Sequence, residues 1–277
     1  MSAPITWTNS SLAEFSICGE RGRRTYIERE YGGTRPRLVR GGAFAFGTRT
    51  AMLQKMQIQT LPTVEELTDV VGDEFNARWD KEDVILEPSE RDAGIDAVRG
   101  YQHDLATDLI GLYRRETAPT IDPIAVERRI IVKPRDMDIE LSGQVDLAAR
   151  YRTDGTIIFD DKTGEKSPNK DAADVSPQLS MYALVWKAEK GTLPDALQLN
   201  HHVRTPARRD LKLVQQPTTR DEEDMRVVVA RLNATIEAVA AGRFIPAPAD
   251  AWQCSEAWCK WWTTCPFTRR GERRPTS

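Results

Sequence analysis

Gly143-Gln144-Val145-Asp146, followed a little further on by Ile157-Ile158-Phe159-Asp160-Asp161-Lys162, is the stretch whose reading decides the fold. Between the two lies Asp154-Gly155, the strongest short-range hairpin signal when β-prone runs flank it. The pattern predicts two antiparallel strands, roughly 139–152 and 156–162, folded back on each other. Side chains along a strand alternate faces, so Asp160 and Lys162 should share one face and Asp161 the other. Asp146 sits toward the end of the hairpin distant from the turn, close to where Asp160 arrives. Two carboxylates and an ammonium would then converge on one patch, the makings of a divalent-metal site with a cationic partner.

Working outward, residues 1–120 read as mainly helical. Trp7 to Tyr31 is expected to form one helix, capped by Ser10 or Ser11 and carrying Leu12, Phe15, Ile17 and Tyr26. Gly32-Gly33 and Pro36 break that pattern, and a second helix should begin near Gly42. Residues 63–81 and 95–116 carry apolar positions at helical spacing, with a loop at 83–94 between them. Strands are expected from Val126 to Val132 and then in the hairpin. Ser176-Pro177 looks like an N-cap followed by proline at the first helical position, and Gly191 like the matching stop. On that helix Gln178 and Tyr182, four apart, share a face. Residues 196–204 alternate like a strand, and Asp221 to Ala241 read as a helix with an acidic first turn.

Composition bounds the class. The chain has 277 residues, 40% hydrophobic and 29% charged, enough to bury a full core in a soluble protein. There is no apolar run near the ~18 residues of a membrane span, no secretion signal at the start, and a cytoplasmic location is expected. A net charge of −3 does not announce a nucleic-acid binder, yet a sum hides local patches. Residues 21–40 hold seven arginines against Glu28 and Glu30. Arg204, Arg208, Arg209 and Lys212 make a second cluster, and Arg269, Arg270, Arg273 and Arg274 a third. Each could follow a phosphate backbone or be a solvated face.

The order helix, three strands, helix, strand, with Gly143-x-Val-Asp146, Asp160-Asp161-Lys162-Thr163-Gly164 and Gln178-Leu-Ser-Met-Tyr182, resembles the PD-(D/E)XK nuclease superfamily. It looks most like the RecB-type branch, which includes CRISPR-adaptation nucleases and phage exonucleases. The resemblance covers nearly the whole chain and implies an α/β (α+β) restriction-endonuclease-like core, with a central mixed sheet flanked by helices. One nuclease domain over 1–277 is expected, its core in 125–241. The resemblance also assigns roles. Asp146 and Asp160 would hold Mg²⁺ or Mn²⁺, joined by the backbone carbonyl of Asp161; hard carboxylate oxygens suit such ions. Lys162 would steady the attacking hydroxide and the charge gathering on phosphorus. Beside two carboxylates it should keep its proton, which makes it a poor general base. Gln178 and Tyr182 would position this centre and the nucleic acid.

One departure concerns the first core helix, where the branch usually places a metal-binding His four residues after a Gly. Here Gly42 leads to Phe46 and Gly41 to Ala45. Glu127, at the start of the first strand, is an acidic candidate to complete the site, or else a surface residue paired with Arg128 or Arg129. His103 should face solvent, and of the adjacent His201 and His202, which point to opposite faces, at most one can line a site.

Four cysteines form a second constellation: Cys18 near the start, and Cys254, Cys259 and Cys265-Pro266 in a Trp-rich tail at 252–267. Thiolates suit iron–sulfur and zinc sites alike, and disulfides are disfavoured in a reducing compartment. Many RecB-type nucleases join one early and three late cysteines around a 4Fe–4S cluster. The resemblance therefore implies such a staple, with Zn²⁺ the alternative, although the x4 spacing between Cys254 and Cys259 exceeds the usual one. Trp252, Trp258, Trp261 and Trp262 could shield the cluster or stack unpaired bases. The expected activity is metal-dependent hydrolysis of DNA, exonucleolytic by analogy with the branch, alone or beside a recombination or repair protein. The rival reading is a DNA-binding or assembly subunit that keeps fold and cluster but not catalysis.

Overall fold

The computed structural model describes residues 5–133, 139–206, 209–248 and 250–268. The helical first part comprises β1 (Thr6–Trp7), α1 (Asn9–Ile17), α2 (Gly19–Gly22), α3 (Pro36–Ile58), α4 (Val64–Lys81) and α5 (Ile95–Leu112). The sheet region follows: β2 (Pro123–Val132), β3 (Glu140–Tyr151), β4 (Gly155–Gly164), α6 (Pro177–Lys190), β5 (Ala196–Arg204), β6 (Leu211–Thr218) and α7 (Glu222–Ala240).

Most helix boundaries follow their capping chemistry. Thr63 and Glu66 cap α4 reciprocally, as do Asp221 and Asp224 for α7. Ser176 caps α6 ahead of Pro177, and Gly191 closes it with φ +84°. Two expectations fail at the start of the chain. Pro36 opens α3 rather than interrupting a helix, because the N–H it lacks would be unsatisfied at the first helical position anyway. The helix expected over 7–31 breaks at Cys18, whose backbone is extended. Tertiary contact overrides the helical pattern there: Gly19 N–H donates to the Ile245 carbonyl at 2.7 Å. A Cβ on Gly19 would lie 2.5 Å from the Ile245 nitrogen, so only glycine admits the tail so close. Thr8, not Ser10 or Ser11, caps α1.

The sheet is mixed, in the order β1-β3-β4-β5-β6, with β2 on the other edge of β3. The β3–β4 hairpin pairs Tyr151 with Gly155 and Leu147 with Phe159. Its left-handed residue is Arg152 (φ +52°), and the turn takes residues 152–154, so Asp154 ends it and Gly155 already pairs in the strand. β4 and β5 run parallel from Ile157↔Ala196 to Gly164↔Val203, and α6 is their crossover. β1 and β6 carry no strong sequence signal: one is two residues long, the other an edge strand containing Pro217.

Two cores sandwich this sheet. Phe44, Leu67, Phe75 and Leu105 from α3, α4 and α5 pack on Leu147 and Phe159. Leu12, Leu179, Tyr182 and Leu232 from α1, α6 and α7 pack on Val145, Ala148 and Ile158. Val145 and Ala148 thus share a core although three residues apart, so the alternation slips around Asp146. Opposite the slip, between the pairs Val126↔Leu147 and Arg128↔Val145, Glu127 has φ +51°. The registers leave a gap at this point: β1 covers Glu140 and Leu141, and β4 begins only at Leu147. Among the described residues Ser142 to Asp146 therefore have no partner strand on that edge, which opens a cleft roofed by α6. No helix among the described residues is long and apolar enough to cross a membrane.

Candidate active site

At the cleft the side chains form a linked row. Lys162 Nζ donates to Asp160 Oδ1 at 2.8 Å and to Gln178 Oε1 at 2.8 Å. Gln178 Nε2 in turn donates to the Tyr182 hydroxyl at 2.6 Å. The helical spacing of Gln178 and Tyr182 and the strand spacing of Asp160 and Lys162 bring the four polar ends into register. Asp146 closes the row against Asp160 and Tyr182. Burial first, then the facing Asp160 charge, push its carboxyl well above the usual carboxylate range. Burial followed by the charges of Asp146 and Asp160 likewise raises the Tyr182 phenol.

Asp160 is only 1% exposed, and its Oδ2 is buried without a hydrogen-bond partner. A bare buried carboxylate oxygen costs free energy. Two opposed carboxyl groups, one with an orphaned oxygen, suit a divalent cation that would neutralise both. The fit is incomplete in side chains alone. Among the described residues no group of three His, Cys, Asp or Glu side chains is placed to hold one ion. Glu127 does not close such a cage with Asp146 and Asp160: its carboxylate takes the Gln144 amide at 2.6 Å. Neither Arg128 nor Arg129 is its partner; Arg128 pairs with Glu189. A backbone carbonyl such as that of Asp161 is the kind of hard oxygen left to join the pair.

The Asp161 side chain points through the sheet, as alternation requires. It accepts from Asn200 Nδ2 at 3.0 Å and lies 3.9 Å from His202 Nδ1. Burial raises its carboxyl to about 7. The two histidines divide as expected. His201 pairs in register with Lys162, and its Nε2 is buried without a partner. His202 lies in the opposite core, bonded to Thr117 at 2.9 Å, and burial lowers it to about 4. His103 is half-buried against Phe75, not free in solvent. The helix whose position four after a Gly would carry the branch's His is α3, whose buried face belongs to the Asp161 side of the sheet.

The sequence matches the PD-(D/E)XK nuclease superfamily over residues 6–266. The chain belongs to that superfamily. No curated protein matches it. Among solved structures it is similar to a protein from Eubacterium rectale, provisionally named an exonuclease, at 10% identity and TM-score 0.54, covering 90% of this chain and 86% of that one. At that identity the likeness speaks to fold. A second structure, SSO0001, aligns at 15% identity over 86% of this chain and 87% of that one, with TM-score 0.37, and carries no weight.

Away from the cleft of this PD-(D/E)XK superfamily member the other sequence candidates separate. Cys18, Cys254, Cys259 and Cys265 line one narrow cavity together with Arg21, Arg24 and Trp261. The Ala247 N–H donates to Cys18 Sγ at 3.2 Å. Burial, then the neighbouring thiols, push Cys254 up, and burial does the same for Cys259. Arg24 reaches Thr264 at 2.9 Å and Arg35 the Glu256 carbonyl at 3.1 Å, tying the tail to the chain start. Trp261 is buried, whereas Trp252 and Trp258 are exposed and meet edge to face at 4.7 Å.

The basic clusters are largely spent inside the molecule. Arg21, Arg23, Arg24, Arg37 and Arg40 all pair with glutamates. Arg204 is 1% exposed and ion-paired with Asp108 at 2.5 Å, so its guanidinium is not free to follow a nucleic-acid backbone. β5 runs to Arg204, and the strand's burial carries that arginine inside. Arg209 is exposed. Arg208 and the cluster at Arg269, Arg270, Arg273 and Arg274 lie outside the described residues.

Proposed function

We propose that the chain is a divalent-metal-dependent DNA nuclease of the RecB-type branch, one nuclease domain acting from DNA ends in recombination, repair or phage DNA processing. The observation that carries this reading is the row Asp146–Asp160–Lys162–Gln178–Tyr182, with the orphaned Asp160 oxygen at its centre. Asp146 and Asp160, with the Asp161 carbonyl, would hold Mg²⁺ or Mn²⁺, which supplies a polarised phosphate and a more acidic water. Lys162 has three N–H donors. Two are committed to Asp160 and Gln178, leaving the third for the attacking water or a phosphoryl oxygen. Gln178 and Tyr182 fix the ammonium and the Asp146 carboxyl in place through their own hydrogen bonds.

The four cysteines that line one cavity would hold a 4Fe–4S cluster, with Zn²⁺ the alternative. A cluster binds each thiolate to a different iron and spreads them wider. Its contribution here would be a staple between chain start and tail.

Among the described residues no third side-chain ligand joins Asp146 and Asp160, which favours one competitor, a DNA-binding subunit without catalysis. Incubation with linear and covalently closed circular DNA in Mg²⁺ and in Mn²⁺, with Lys162→Ala alongside, separates the readings. Loss of linear DNA by the wild type only, with circles spared, is expected. Intact DNA in every lane would leave the binding subunit standing.

A further inference from the structure

A cavity of about 380 Å³ runs from Asp146, Gln178 and Tyr182 along the unpaired edge of β3 to Thr8, Asn9 and Ser10. That volume is within the range of small-ligand pockets, about 300–1,000 Å³. Its position follows from the strand gap. The five unpaired residues Ser142–Asp146 span roughly 16 Å at a strand's rise. The pairing of β1 with Glu140 and Leu141 closes the far end. The cleft therefore has the reaction centre at one end and a wall at the other.

Its chemistry is uneven. One carboxylate, that of Asp146, sits at the centre end, and the cation lining the cavity is Arg129. Arg129 pairs in register with Gln144, and its Nε donates to the buried Ser142 hydroxyl at 3.2 Å. No carboxylate among the described residues pairs with its guanidinium, whereas most arginines near the chain start are paired. The nearby Glu127 is engaged with Gln144 instead. The exposed Arg129 thus lines, without an ion-pair partner among the described residues, a cleft that also offers the polar side chains of Asn9 and Ser10. Guanidinium forks match phosphate oxygens, and a dianionic terminal phosphate is the form of the nucleic-acid backbone that gains most from one.

On the reading that this is a nuclease, we propose that the pocket receives the phosphate at a DNA terminus, with Arg129 as its cation, so that cleavage is registered from a phosphorylated end. A continuing strand would run into β1 and the start of α1; a strand that ends in the pocket would not.

The test uses oligonucleotides with a 5′-phosphate, a 3′-phosphate, or hydroxyls at both ends, measured in two ways. In kcat/KM with Mn²⁺, one phosphorylated end should be preferred about tenfold or more over hydroxyl ends, the scale of a charge-assisted contact. Arg129→Gln should bring that ratio toward one, chiefly through KM, and Arg129→Lys should keep part of it. Fluorescence anisotropy on Lys162→Ala protein, with and without Arg129→Gln, reads the same ratio without catalysis. It still decides the matter if the wild type cleaves nothing, the outcome that would sink the nuclease reading alone. Equal binding of all ends, or an Arg129→Gln protein that weakens every end alike, would overturn the pocket assignment.

Discussion

Asp161 is the residue of the Asp-Asp-Lys triplet whose side chain takes no part in the cleft, and it yields a quantitative prediction. Its carboxyl is one-tenth exposed, and burial raises it from 3.8 to about 7 despite the Asn200 hydrogen bond. The folded state therefore holds the proton more tightly than the unfolded chain does. Between about pH 4 and pH 7 folding takes up a fraction of a proton, so this group's cost is absent below pH 4 and grows as pH rises. The full cost, roughly three pKa steps, is about 4 kcal/mol, an upper bound because the site can relax. Asp161→Asn removes the titration but keeps an Oδ1 acceptor for Asn200. The new amide N–H groups have the Tyr113 hydroxyl and His202 Nδ1 at hand, both buried without partners. Urea unfolding in EDTA should show the stability of Asp161→Asn relative to wild type improving by about 2–3 kcal/mol from pH 5 to pH 8.5. A difference that stays flat with pH would refute the reasoning, whatever its absolute size.

Further outcomes follow from single contacts. Tyr182→Phe removes the hydroxyl that accepts from Gln178 and should lower kcat about ten- to a hundredfold with the unfolding midpoint nearly unchanged. Gly143→Ala would place a Cβ 2.6 Å from Val185 on α6; a cost of about 1–3 kcal/mol is expected in chemical denaturation, with activity falling further because α6 carries Gln178 and Tyr182. Cys265→Ala, purified without air beside wild type, should lose a broad visible absorbance and its iron; a colourless wild type containing zinc would reject the cluster. Lys162→Ala should abolish hydrolysis in both Mg²⁺ and Mn²⁺ yet still bind DNA in a gel-shift assay, and hydrolysis at wild-type rate would remove Lys162 from the centre.

That Asp160, Lys162, Gln178 and Tyr182 meet was legible because each sits on an element whose period is visible in the sequence. Strand alternation separates Asp160 from Asp161, and a helix turn aligns Gln178 with Tyr182. Ser176-Pro177 and Gly191 bound α6 by capping chemistry that needs no tertiary information. What the sequence withheld depends on contacts far along the chain. The break at Cys18 is imposed by Ile245, over two hundred residues away. Arg204 looks like a surface cation beside Arg208 and Arg209, but the buried parallel pairing of β5 with β4 draws it inward to Asp108. The slip of alternation at Val145–Ala148 leaves no mark in residue type, so the direction of Glu127 could not be foreseen. Arg129, read only as a possible partner for Glu127, gains its interest from a gap between strands that local patterns do not encode.

That gap also gives the cysteine tail a connection to the cleft. α1 is held at both ends: β1 pairs with β3 just before it, and just after it Cys18 and Gly19 are pinned to Ala247 and Ile245. The same helix presents Asn9 and Ser10 to the cleft and buries Leu12 and Phe15 in the core beneath α6. A loosened tail frees the C-terminal end of α1 first, and the hold that remains at its other end, through β1 on β3, is only two residues long. The consequence reaches the far wall of the cleft before it reaches Asp160 and Lys162, which rest on β4 between β5 and the sheet core. Loosening the cysteine tail should therefore act on substrate binding ahead of the chemical step, with KM rising before kcat falls.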